Sequence, residues 1–114
     1  MKRPTDSPSR RFHWRARDFR TLRRWEVAAW NALFDGLPEM RLWAAVFCDG
    51  IKTLYRTRSV HAFETALRWI TAPRGDQLGD FDNLCEAIGV EPDDVRRDVL
   101  GDVRDGKTFV KVEL

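Results

Sequence analysis

The stretch that most constrains this chain is DFDNLCEAIGVEPDDVRRDVL, residues 80–100. Leu84, Ile88, Val90, Val95 and Val99 are spaced so that two short helices share one apolar core, with Gly89 between them. Glycine enters the left-handed backbone that ends a helix and turns the chain sharply. Pro92 suits the first turn of the next helix, because the N–H it lacks has no helical partner there. Asp80 stands where an N-cap belongs, and the small Cys85 permits the two helices to approach closely. These residues predict a helix over about 81–87, a tight turn at Gly89, and a second helix from Pro92 to near Gly101. The result is a helix-turn-helix-like corner.

Other apolar residues also recur at helical spacing. Phe12, Ala16, Phe19, Leu22, Ala29, Trp30, Leu33 and Phe34 form one stripe of a helix over residues 12–34, with Arg17, Arg20 and Arg24 opposite. Arg23 and Glu26 lie inside that stripe, three residues apart, and are placed to neutralise one another. Gly36 and Pro38 end it. A second helix over 38–57 draws its apolar face from Leu42, Trp43, Val46, Phe47, Leu54 and Tyr55, with Gly50 as the point at which it would kink or end. A third, over 59–72, has Ser59 as N-cap and Val60, Phe63, Leu67 and Ile70 as its stripe. Residues 73–79 (PRGDQLG) are loop by composition. After a turn at Asp105-Gly106, KTFVKVEL alternates as a strand does. The expected fold is mainly α, a compact bundle of about five helices with the corner and a short C-terminal β-strand or hairpin over 102–114. Residues 1–11, rich in Pro, Ser and charge, are expected to form a flexible basic arm on a single helical domain spanning 12–114.

Charge is distributed unevenly. Residues 1–24 carry nine Lys or Arg against two acids, and residues 75–105 carry three against ten, although the whole chain is only +2. Such asymmetry points to an electrostatic partner, or to the two ends folding onto each other. Cys48 and Cys85 sit inside apolar stretches and are expected to be buried thiols rather than a disulfide framework. Together with His13 and His61 they give no metal-ligand spacing. No cofactor motif or nucleophile–base set is present, so catalysis is not expected. No apolar run reaches the ~18 residues of a membrane span, so a membrane is not an expected partner and the cytoplasm is the expected location.

Arg10, Arg11, Arg15, Arg17, Arg20 and Arg24, interleaved with Phe12, His13, Trp14 and Phe19, suit phosphate contacts, entry into a minor groove, or stacking on unpaired bases. The same residues also describe the solvated face of an amphipathic helix. The corner has two readings as well. As a DNA reader it would use Arg96 and Arg97, yet its second helix begins with Glu91, Asp93 and Asp94, which phosphate repels. As a structural corner it needs no DNA, since acids at a helix start favour the helix dipole and Asp93 and Arg97 form an i,i+4 pair. Lys107 and Lys111 on the last strand would suit a winged helix-turn-helix, or the strand would pair with a second copy in a homodimer or with the N-terminal segment.

Ala66, Trp69 and Ile70, followed by Asp80, Phe81, Leu84, Cys85, Ile88, Gly89, Pro92, Val95 and Arg96, resemble a pattern in small uncharacterised helical proteins of bacteriophages and prophages. The resemblance covers about a third of the chain, Ala66 to Val99. It implies a small helical accessory protein of phage type that binds DNA. The leading expectation is a nucleic-acid-binding regulatory protein, with duplex DNA as its partner. The alternative is a phage-type protein that binds a host complex (a polymerase, nuclease or defence system) through its acidic C-terminal surface.

Overall fold

The computed structural model describes residues 22–112. Five helices form within this span: α1 (Arg24–Asp35), α2 (Pro38–Arg56), α3 (Val60–Thr71), α4 (Phe81–Ile88) and α5 (Pro92–Arg104). The protein is mainly α. Helix α2 is central, packing against α1, α3 and α4, while α5 packs on α4. A line of aromatic rings crosses the core. Phe47 of α2 meets Trp25 of α1 edge-on at 6.2 Å and stacks on Phe81 of α4 at 6.1 Å. Trp69 of α3 meets the other end of the line, edge-on to Phe81 at 5.1 Å. Aromatic pairs in these geometries add to what their burial contributes.

The expected helix over 12–34 is interrupted. Leu22 and Arg23 are not helical, and Arg23 is extended at φ −78°, ψ 157°. The Glu26 carboxylate, fully buried, accepts the Arg23 backbone N–H at 2.8 Å and so caps α1. The Arg23 guanidinium does not pair with Glu26; it reaches Asp102 of α5 at 3.0 Å. A long-range ion pair thus ties the start of α1 to α5. The part of the predicted helix before Leu22, and the arm of residues 1–11, lie outside the described residues.

Helix α2 buries Ala44, Phe47, Cys48, Ile51, Leu54 and Tyr55. Leu42 and Val46, assigned to its apolar face by size, lie on the opposite face and are exposed, while the small Ala44 is fully buried. The helix does not end at Gly50 but runs on to Arg56. The Trp69 ring packs where a side chain would be, and a Cβ on Gly50 would stand 2.5 Å from the ring. Gly50 is therefore a seat for α3. In α3 the Ser59 hydroxyl accepts the Ala62 N–H at 3.1 Å, as its N-cap position predicts. Phe63, Ala66 and Ile70 are buried, but Val60, in the first turn, is exposed.

The corner forms as its residues predict. Gly89 adopts φ 79°, and the Val90 N–H donates to Cys85 O at 2.9 Å while the Gly89 N–H donates to Glu86 O at 3.3 Å. This pair of bonds is a Schellman motif, which satisfies the last carbonyls of α4. Leu84, Cys85, Ile88, Val90, Val95 and Val99 are all buried. Asp80 holds the N-cap position, but its carboxylate turns back to accept the Gln77 N–H at 3.1 Å. Helix α5 passes Gly101 and ends at Arg104.

Among the described residues there is no β-strand, which corrects the expectation for 102–114. Gly106 makes the predicted turn at φ 75°. The residues after it keep the alternation of a strand, with Thr108 buried and Phe109 exposed, without a strand's ladder. The Phe109 N–H donates to Tyr55 O in the last turn of α2 at 2.9 Å, satisfying a carbonyl that a helix end leaves open.

Candidate nucleic-acid interface

Of the eight arginines singled out in the sequence, three fall among the described residues. Arg24 opens α1 and is exposed. Arg97 projects from α5 with most of its side chain exposed, 3.3 Å from Asp94 and from Asp98. Its partner is therefore Asp94 at i,i+3, not Asp93. Arg96 turns inward. Its guanidinium donates to Ile70 O at 2.7 Å and Ala72 O at 3.2 Å, pairs with Asp82, and lies 4.9 Å above the Phe81 ring. It closes the C-terminus of α3 onto α4 and α5. Arg10, Arg11, Arg15, Arg17 and Arg20 lie outside the described residues.

The outward start of α5 is acidic. Asp93 is 87% exposed and its nearest cation is Arg96 at 3.6 Å. Farther along α5, the acids have partners within the domain. Asp98 accepts from the Trp25 indole at 2.9 Å and lies 3.9 Å from Arg23. Asp102, almost fully buried, accepts from the Tyr55 hydroxyl and from Arg23, with Lys107 at 3.9 Å. Burial, reinforced by the hydrogen bond and charge of Asp102, raises the Tyr55 phenol far above its ordinary value. Burial works against the Arg23 charge, but the hydrogen bond and charge of Asp102 outweigh it and hold the guanidinium protonated. This cluster joins the end of the arginine-rich segment to α2 and α5. It was not legible in the sequence, because its members stand up to 79 residues apart.

The C-terminal segment adds cations to the same region. Lys107 is 61% exposed. The Lys111 ammonium donates to Gly106 O and, at 2.8 Å, to Thr108 O. The Arg58 guanidinium lies 5.1 Å from the centre of the Phe109 ring. Arg58 and Phe109 were missed in the sequence, where their separation hides the contact. Both cysteines are buried and free, as expected. Among the described residues there is no cluster of ligands suited to a metal ion, and no helix is long and apolar enough to cross a membrane. No protein-family model matches the chain, and neither a curated protein nor a solved structure matches it significantly.

Proposed function

We propose that this chain is a small nucleic-acid-binding regulatory protein of phage type, without catalytic activity, whose contact with duplex DNA is made by Arg10, Arg11, Arg15, Arg17, Arg20 and Arg24. One observation carries the reading. Asp98 and Asp102, the acids bordering this segment, already have cations within the domain, Asp98 beside Arg97 and Asp102 paired with Arg23, so neutralising them does not require the five arginines upstream. Arg23 fastens the segment's end to the domain, and the positive charge before it suits phosphate. The corner is a scaffold in this reading. Its acidic first turn disfavours groove insertion and its Arg96 is committed to holding three helices together.

Fluorescence anisotropy on a labelled duplex over a salt series tests this. Affinity should fall steeply with salt. Replacing Arg10, Arg11, Arg15, Arg17 and Arg20 by Gln in the full chain should weaken binding by an order of magnitude or more and flatten the log–log salt slope by up to about 4.5. Arg97→Ala should change little. Absence of duplex binding at low salt defeats the reading, and a changed sequence preference in Arg97→Ala would restore the corner as a reader.

The exposed acids Glu91 and Asp93, with the half-buried Asp94 beside them, favour a second reading, a contact with a basic surface of a host protein complex. Asp93→Asn with Asp94→Asn would then abolish nuclease-resistant capture of that complex, while leaving duplex binding intact.

A further inference from the structure

The turn after α5 and the loop between α2 and α3 together form a second cationic surface. Phe109 is 56% exposed, yet its backbone is held: its N–H is bonded to Tyr55 O, and Thr108 beside it is buried with its hydroxyl donating to Val110 O at 2.6 Å. Val110 and Val112 pack against the core on the far side. The ring is therefore presented on a fixed support. Arg58 lies over it, and Lys107 and Lys111 flank it in sequence. The partners of Lys111 are carbonyls, which leave its charge uncancelled. Asp102, the acid nearest Lys107, is already paired with Arg23. An exposed aromatic ring thus has Arg58 against it and Lys107 and Lys111 beside it in the chain.

We propose that Phe109, with Arg58, Lys107 and Lys111 around it, is a binding site for an unpaired nucleotide of a single-stranded nucleic acid. A flat ring accepts a stacked base only when that base is out of a duplex, and stacking of this kind tolerates any base. The guanidinium of Arg58 contributes to the same stack, and the lysines meet the flanking phosphates. Surface cations beside an exposed ring, on backbone pinned at both sides, are the arrangement that such binding requires. The site rests on the reading of the protein as nucleic-acid-binding and extends it from the arginine-rich segment to a separate contact. Both contacts converge on the Asp102 cluster through Arg23 and Lys107.

The test uses the full chain and two labelled probes, an oligothymidylate and a blunt duplex. Phe109→Ala should weaken oligothymidylate binding about 5- to 100-fold, the range for losing one stacked base, with duplex affinity unchanged. Phe109→Trp should retain binding, and both variants should unfold thermally like the parent because the ring is exposed. Lys107→Ala should lower the salt slope on oligothymidylate by about 0.7, whereas Arg58→Ala should weaken binding through the stack. Equal oligothymidylate affinity in Phe109→Ala and the parent overturns the site. If the five-arginine variant then still loses binding to both probes, the reading of the arginine-rich segment stands alone. If that variant binds like the parent while Phe109→Ala loses the single strand, the site stands and the segment reading falls. A parent chain that binds neither probe removes both.

Discussion

The Arg96 side chain links the end of α3 to α4 and α5 through two carbonyls, one carboxylate and one ring. Arg96→Ala removes all four contacts and leaves the half-buried Asp82 without its partner. Removing one member of a largely buried, hydrogen-bonded pair costs about 3 kcal/mol, so a marked drop in the urea midpoint is expected. Arg97→Ala, one residue on, should change stability by no more than about 0.5 kcal/mol, because its two ion pairs are exposed. Equal losses in the two variants would show that Arg96 is not the tie described. In the sequence the two arginines are indistinguishable neighbours on an acidic helix. The carbonyls of Ile70 and Ala72, 26 and 24 residues away, separate their roles.

Helix α2 shows how one element is shaped by another. On propensity alone, Gly50→Ala should stabilise a helix by up to about 1 kcal/mol. The Trp69 ring, 2.5 Å from the added Cβ, reverses the sign, since overpacking a close contact costs about 1–3 kcal/mol. A net loss of stability is expected by thermal unfolding, and Trp69→Leu in the same chain should reduce that loss. A stabilised Gly50→Ala would mean that the ring does not seat there. The turn and core of the corner, by contrast, were legible: Gly89, Pro92 and the five apolar positions from Leu84 to Val99 encode them through local backbone chemistry. Helix α1 and the C-terminal segment were not. At the start of α1 the Arg23 side chain turns to Asp102, 79 residues on, and the alternating C-terminal residues meet the end of a helix where a strand edge was expected.

At the scale of the molecule, the same core sets a pH dependence. Burial, with a smaller contribution from Asp49, raises the Cys48 thiol from its ordinary 9.0 to about 12. Burial, with Asp82 next, does the same for Cys85. The Tyr55 phenol is raised as well. Each of these groups has a folded value above its unfolded one. The stability they confer is therefore complete below about pH 9 and is lost as the unfolded thiols, then the phenol, ionise. The urea midpoint is expected to fall steadily between about pH 9 and 12, and both thiols should resist alkylation at neutral pH until the chain is denatured. An unchanged midpoint over that range, or prompt alkylation of the native protein, would contradict this. The sequence by itself determined five helical segments, the glycine turn, the buried cysteines and the separation of basic from acidic charge, because periodicity, capping and backbone restriction act over a few residues. Only the tertiary structure decided which charges face solvent. It placed Arg23 and Arg96 in ion pairs between elements, left Arg97 outside, and brought Arg58 to Phe109, because pairing across the fold depends on proximity in space that no local pattern encodes.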